Sequence, residues 1–398
     1  MPTTSPYLTD DHERLREQVK SIADAEIAPR VPGMESRGSH TDRELRPIMG
    51  EWLGLLISSE WGGRDEGHLA KTVAVTEVSR VSGAAGAILQ ASILGAAPIT
   101  EYGSDELRRT WLPAIAAGEV WPSIAVTEPR HGSHLLDMDS TARFDNGELV
   151  IDGAKEFIGN AGLADIHCVV VRTGERGDAR GLTAVLVEAE RDGVEVVHRP
   201  SSGLHGFSVD GLRLDGVRVP EGNIIGEVGG GHDVALMSSV VYGRLNLAAV
   251  ALGIHQQALD VTTRWVSVER ERYNGYLSDV KMVRRRISEM AFRLMQAELA
   301  AYHAAYLLDQ GQSCDRWLYN AKLVNNRHGV ASAEDAKQLH GGHATRVGNP
   351  CERILRDIQL INAPAGPDDI QLKYIGDDVL EPTRHQWSAE HASRRRAA

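Results

Sequence analysis

The sequence predicts a mostly α-helical protein with a small β domain at its centre, and three observations carry that expectation. Apolar residues recur at helical spacing through both ends of the chain. Short β-branched runs broken by Gly, Asp and Asn fill the middle. The two textures change over near Trp121 and again at Gly229-Gly230-Gly231. The expected domains are an N-terminal helical domain over residues 1–120, a compact β domain over 121–232, and a C-terminal helical bundle over 233–398.

Taken in order, residues 8–29 place Leu15, Val19, Ile22 and Ile27 on one helical face, with Asp10 and Glu13 in the positions of a capping box. Further helices are expected over 43–56, 69–81, 84–102 and 105–117, punctuated by Gly62-Gly63 and Pro98. Strands follow over 149–151, 167–172, 182–188, 194–197 and 212–219, with Asp152-Gly153, Asp192-Gly193 and Asp215-Gly216 as turn pairs and Pro220 closing the region. The bundle helices cover roughly 233–264, 278–310, 314–340 and 368–380. Ala248, Ala249, Ala251 and Gly253 on the first of them permit close approach or subunit contact. The polar tail from 381 to 398 reads as frayed.

A chain of 398 residues, 42% apolar and 25% charged, can bury a large cofactor within two or three packed units. No uninterrupted apolar run of about 18 residues suggests a membrane span, and the early Asp10, Asp11, His12 and Glu13 do not resemble a secretory leader. A soluble, cytoplasmic protein is expected. The formal net charge of −12 argues against nucleic acid as a partner, and Arg284-Arg285-Arg286 reads as a solvated helix face. Cys168, Cys314 and Cys351 lack metal or disulfide spacing and read as structural. No metal site is expected.

Several local motifs carry chemistry. Ala125-Val126-Thr127-Glu128-Pro129 with Gly132-Ser133 resembles the TEP-x-AGSD signature of the acyl-CoA dehydrogenases, His131 and His134 replacing its Ala and Asp. Lys155-Glu156-Phe157-Ile158-Gly159-Asn160-Ala161 resembles that family's K-x-(W/F)-I-T-N-A, and residues 214–220 resemble the strand closing its β domain. Arg270-x-x-Tyr273-Asn274, Gln338-Leu339-His340-Gly341-Gly342 and Cys351-Glu352-Arg353-x-x-Arg356-Asp357 resemble its R-x-x-F-G, Q-x-x-G-G and V-E-R-x-x-R-D segments. The likeness covers nearly the whole chain in the correct order.

The resemblance implies the acyl-CoA dehydrogenase fold, with a β-barrel-like middle domain and a C-terminal four-helix bundle, and FAD as cofactor. It places Val126 and Thr127 against the flavin, Ser133 on the pyrophosphate, and Phe157 and Ile158 over one side of the ring. Arg270, Tyr273, Gln338, Gly341 and Gly342 would hold the adenine end of a neighbouring subunit's FAD, which implies a homotetramer or at least a dimer. His340 and His343 would belong to that adenine site or interface. Gly159 stands where a Thr hydroxyl approaches flavin N5, which would open that region, and Pro367 and Asp369 also depart from the pattern.

Oxidising a saturated acyl thioester needs a base for the α-proton while the β-hydrogen leaves as hydride. The resemblance places that Glu where this chain has Ala365, in a register anchored by Gly366, Ile370, Gln371 and Gly376. Relatives that carry the Glu on the bundle helix have it just before an Arg resembling Arg244. That position is Gly243. Asp368 and Asp369 read as helix N-terminal charge, and His131 and His134 as loop residues near the meeting point of substrate and flavin. The resemblance therefore implies an oxidoreductase of acyl or aminoacyl thioesters, bound to CoA or to an acyl or peptidyl carrier protein, with the base relocated or absent, serving biosynthesis in specialised metabolism rather than core fatty-acid degradation. A monooxygenase, or ring closure on a carrier-bound acyl group in specialised metabolism, stays open beside it.

Overall fold

The computed structural model describes residues 5–38, 40–272, 274–381 and 383–397. Helices α1 (Asp10–Ile22), α2 (Val31–Arg37), α3 (Arg46–Met49), α4 (Gly67–Val81), α5 (Gly83–Tyr102) and α6 (Asp105–Ala116) precede the strands. At the start of α1 the reciprocal cap is made by Thr9 and His12 rather than Asp10 and Glu13, which place negative charge on the first turn instead. Residues 43–56 form 3-10 turns on either side of the single-turn α3, not one continuous helix. Pro47 interrupts the pattern, and Gly50 and Gly54 bring this segment onto the backbone of Gly118 and Ala116.

Strands β1 (Pro122–Ala125), β2 (Thr141–Asp145), β3 (Glu148–Gly159), β4 (Ile166–Arg172), β5 (Leu182–Glu188), β6 (Val194–Val197), β7 (Val209–Pro220) and β8 (Ile224–Ile225) make one sheet. Its order is β6-β7-β3-β2-β4-β5-β8, with β1 parallel to β4. Along β4 and β5, Val169, Val171, Val185 and Val187 face the domain's own core, while Cys168, Val170, Ala184 and Leu186 face the helices. Burial on both faces explains why these strands read as unbroken apolar runs. Asp152-Gly153 and Asp215-Gly216 are not turns: they sit inside β3 and β7, where Asp152 accepts the Gly216 N–H at 2.8 Å across a register shift. The tight hairpin is Asn146-Gly147, with φ of 53° and 82° between β2 and β3.

The C-terminal half contains α7 (Gly231–Met237), α8 (Arg244–Arg264), a small hairpin of β9 (Glu271–Arg272) and β10 (Gly275–Tyr276), then α9 (Lys281–Asp309), α10 (Asp315–His340), α11 (Pro350–Leu360), α12 (Asp368–Leu380) and α13 (Trp387–Ala397). Helix α8 packs against α9 and α10 on one side and against α4 and α5 on the other, so both helical halves share one core. Contact with α4 is closest at Gly253, where any Cβ would lie 2.3 Å from the Thr76 carbonyl oxygen. Two helical spans, α5 and residues 231–269, are long and apolar enough by composition to cross a membrane, but 89% of the apolar 18-residue window in each lies buried in this core. All three cysteines are buried, and burial raises each thiol's pKa.

The expected frayed tail is instead helix α13, with Ser388, His391 and Ala392 buried. Its N-terminus is capped from a distance: Asp315 accepts the Trp387 and Ser388 N–H groups, each at 2.8 Å. Asp309 does the same for α4, accepting from His68 and Leu69 at 2.6 and 2.8 Å. Neither cap is local, so no sequence signal beside either helix announces it.

Candidate functional site

Helix α5 forms the spine of the site. Gln90, Ala91 and Leu94 share one of its faces by helical spacing, and Leu94 is partly exposed on a helix that is otherwise almost wholly buried. Opposite Leu94 the chain passes from α7 into α8 through a π-helical segment, Ser238–Gly243. A Cβ built on Gly243 would meet the Ala365 Cβ at 3.4 Å and the Leu94 Cδ1 at 3.8 Å. Gly243 and Ala365, the two positions at which the resemblance leads one to expect a base, therefore converge on one place.

Ala365 adopts φ 51°, a left-handed conformation that costs a residue with a Cβ roughly 1 kcal/mol. Its neighbours impose it. The Gln371 amide nitrogen donates to the Ala365 and Gly366 carbonyls at 2.9 and 2.7 Å, while its oxygen accepts from Arg244 Nε at 2.9 Å. Lys322 Nζ donates to Asn362 O at 2.8 Å and to Gly366 O. Arg244 is buried beside the stacked rings of Tyr319 and Tyr374, 5.0 and 5.5 Å from their centroids, and burial lowers its pKa. Burial, with Arg244 adding to it, pushes the Lys322 ammonium down to about 7. Arg244 thus acts behind the turn as a positioning residue. Asp368 is turned toward α10, accepting from Arg327 at 2.7 Å and Asn326 at 3.3 Å, and Asp369 is exposed on the first turn of α12.

The side expected to hold the cofactor is built by the end of β1 and the end of β3. Val126 and Thr127 are partly buried, and the Thr127 carbonyl accepts the Glu156 N–H at 2.8 Å, which holds the two segments together. Phe157 follows at φ 60° with 68% of its surface exposed. A bulky residue held left-handed is strained, and here it presents an open aromatic face. The loop beyond Thr127 is anchored by a buried ion pair, Lys155 to Glu128 at 2.8 Å, and Glu128 also accepts the Asp139 and Ser140 N–H groups. Burial, opposed by Glu128, pushes Lys155 down to about 8. Gly132, Ser133 and His134 are left exposed at the loop's tip. His131 pairs with Asp139 at 3.1 Å and His134 with Asp137 at 3.4 Å.

Two expectations are corrected. Ile158 does not cover a ring, because its side chain is 2% exposed and belongs to the β core. Nor does Gly159 open the region beside it: a Cβ there would meet the Phe207 ring at 2.9 Å and Ala91 at 3.2 Å, so Phe207 already fills the space. Nothing near Gly159 in sequence signals this, because Phe207 arrives from the loop before β7.

Arg270, Gln338, Gly341 and Gly342 are exposed together at the other end of α8. Trp265 joins their segments, donating to Leu339 O at 3.2 Å and stacking on His340 at 4.8 Å. Burial pushes His340 down to about 4. The helical run from Arg244 to Glu269 puts this group about 39 Å from the Ala365 turn at 1.5 Å per residue. Tyr273 lies outside the described residues.

A buried polar cluster missed in the sequence adjoins the site. Tyr242 and the ring of His391 both donate to Glu101, the His391 bond at 2.8 Å. His391 faces His68 at 3.2 Å, and Lys71 approaches His68 at 3.4 Å. Because the carboxylate can only accept, donation runs from Lys71 through His68 and His391 to Glu101. Burial pushes Lys71 down to about 7 and His68 well below its ordinary value. Burial opposes the Glu101 charge, yet His391 and Tyr242 hold its pKa below the usual carboxylate value.

Comparison with known proteins accounts for this arrangement. The chain matches the acyl-CoA dehydrogenase N-terminal domain over residues 9–119, the middle domain over 123–217 and the C-terminal domain over 229–380. It is 30% identical to an acyl-CoA dehydrogenase of Bacillus subtilis (strain 168), over 95% of this chain and 100% of that one. The structure of glutaryl-coenzyme A dehydrogenase with glutaryl-CoA superposes with a TM-score of 0.89 at 29% identity, covering 94% and 96% of the two chains. PigA with FAD and proline shares the fold at a TM-score of 0.87 and 24% identity, over 94% and 98%. The residues fit a flavin such as the FAD of the PigA complex: an open aromatic face at Phe157, polar Thr127 beside it, and an exposed Gly132-Ser133 loop held by a buried ion pair. The chain belongs to the acyl-CoA dehydrogenase family and is an FAD flavoprotein of that fold.

Proposed function

We propose that this flavoprotein oxidises an acyl or aminoacyl thioester carried on CoA or a carrier protein, without a protein carboxylate as α-proton acceptor. The observation that carries this reading is the convergence of Gly243 and Ala365 on one spot, 3.4 Å from any Cβ at 243, with neither residue able to take a proton. FAD, when bound, supplies the two-electron acceptor for the β-hydrogen. Val126, Thr127 and Phe157 would hold its ring system and Ser133 its pyrophosphate. Gln371, Lys322 and Arg244 fix the turn that presents the thioester's α-carbon. The proton then leaves to a basic group of the substrate itself or to water admitted beside the methyl of Ala365. The filled space at Gly159 removes one argument for an oxygenating site.

A shared site between subunits completes this reading. Arg270, Gln338, Gly341 and Gly342 lie too far along α8 to serve the same chain's cleft, and α9 exposes an apolar row, Phe292, Met295 and Leu299 at 58, 62 and 49%. Such a row supports burial against a second copy. Light scattering of the FAD-loaded protein should give at least a dimer; a monomer with full flavin occupancy overturns the shared site.

Anaerobic addition of the cognate class of thioester should bleach the flavin absorbance of the holoprotein. Bleaching only by an external reductant, followed by oxygen-dependent hydroxylation, would show that the monooxygenase reading is the right one.

A further inference from the structure

Gly243 sits between two tied side chains. Tyr242 before it donates to Glu101 at the end of α5, and the ring of His391 on α13 donates to the same oxygen, Oε1, at 2.8 Å. Arg244 after it donates from Nε to Gln371 at 2.9 Å, the residue whose amide holds the Ala365 turn. Residues two apart on a helix leave it on nearly opposite sides, so the two ties flank Gly243. Tyr242, Glu101, His391 and Arg244 are all buried, none more than 4% exposed.

The backbone between the ties is not an ordinary helix. Over Ser238–Gly243 the chain takes the π form, and the Arg244 N–H reaches back five residues to the Ser239 carbonyl. Such wide turns are rare, and an uninterrupted α-helix would bond that N–H to the Val240 carbonyl instead. The change would tighten the turn by one residue and swing position 243 round the helix axis, away from the 3.4 Å approach of its Cβ to Ala365. The segment contains no proline, and Gly243 has an ordinary helical φ of −58°. Ser238 starts the wide turn, its hydroxyl bonding the Val234 carbonyl at 2.8 Å, and the tied side chains of Tyr242 and Arg244 end it. Both bonds at Glu101 fall on one oxygen, so what this tie needs is an acceptor at a fixed point rather than a charge.

We infer that Tyr242, Glu101 and His391 are positioning residues: they hold residues 238–243 in the π register that sets Gly243 against Ala365, and through His391 the docking of α13 becomes part of that setting. None of them touches the substrate. The functional half of the inference rests on the thioester reading above; the register itself does not.

The test uses the FAD-loaded protein with butyryl and 3-aminopropanoyl phosphopantetheine thioesters. Binding is read from the anaerobic perturbation of the flavin spectrum, and the register from hydrogen exchange of the peptide covering 238–243. Tyr242→Phe removes one oxygen and leaves the Glu101–His391 bond in place. Exchange in 238–243 should rise at least about tenfold while α13 stays as protected as before. Thioester affinity should fall at least about fivefold with FAD still bound. Glu101→Gln keeps an acceptor for both donors and should hold affinity within about twofold of the unaltered protein. Glu101→Asn draws that acceptor back by one carbon and should behave like Tyr242→Phe, which keeps the test open if Tyr242→Phe does not load FAD. Faster exchange with unchanged affinity, no change in either readout, or equal losses in Glu101→Gln and Glu101→Asn overturns the positioning role and leaves the thioester reading in place. If neither thioester perturbs the flavin of the unaltered protein, the thioester reading falls and takes the positioning role with it, whatever the exchange shows.

Discussion

Tyr242 and Gly243 are consecutive residues with opposite surroundings. Tyr242 points into a cluster of Glu101, His391, His68 and Lys71, all buried and linked by hydrogen bonds. Gly243 faces the methyl of Ala365 and the side chain of Leu94. Acid–base groups are thus abundant where the fold is being held together and absent at the Gly243–Ala365 contact, where the proposed reading needs a proton acceptor. Titratable side chains in a core do not by themselves mark a reaction centre. Those around Tyr242 join α4, α5, α13 and the π-helical segment, a task for which mutual saturation matters more than access.

The contrast can be broken from either side. Ala365→Glu should raise α-proton exchange of a simple acyl thioester by roughly two to four orders of magnitude, the usual worth of a positioned base, and Gly243→Glu should act on the same proton. Exchange is followed by loss of deuterium from the α-carbon; no gain from either variant would mean that the thioester does not lie between these positions. On the other side, Glu101→Ala leaves His391 and Tyr242 without their acceptor and should cost about 3–5 kcal/mol in urea unfolding. A change within 1 kcal/mol would show that the cluster is not a structural bond between its helices.

Smaller effects sharpen the same comparison. Gly159→Thr should cost about 1–3 kcal/mol through overlap with Phe207 and Ala91, and Phe207→Ser should restore most of it in the double variant. Additive losses would show that the two do not share a space. Asp315→Ala should remove about 1 kcal/mol and selectively raise hydrogen exchange in α13, because both capped N–H groups belong to that helix. The pH dependence is also set. Between about pH 7 and 10 the unfolded chain still binds the proton that buried Lys71 has released, so stability rises with pH across that window, with Lys322 acting in the same sense. Lys71→Met should flatten the rise in Tm; an unchanged slope would mean that Lys71 keeps its proton.

What was legible in the sequence follows physical locality. The strands β4 and β5 could be read because both their faces are apolar, and the expectation of a base at residue 365 rests on a stretch from Arg356 to Gln371 that holds its register without a gap. The meeting of Gly243 with Ala365 could not be read, since it depends on a π-helical offset and a left-handed turn fixed by Gln371 and Lys322. Phe207 in the space beside Gly159 was hidden for the same reason. Helix α13 escaped notice because its signal is a cap supplied by Asp315 from far up the chain and a small buried face of Ser388, His391 and Ala392. The pairs at Asp152 and Asp215 misled because a bulge and a turn favour the same residues.

The left-handed turn at Ala365 has one more consequence. Its backbone is held by Gln371 and Lys322 from behind, so its shape does not depend on the side chain it carries. A glutamate placed at residue 243 or 365 would therefore meet the same fixed backbone that the present residues meet, so single variants at these two positions isolate what the side chain alone contributes.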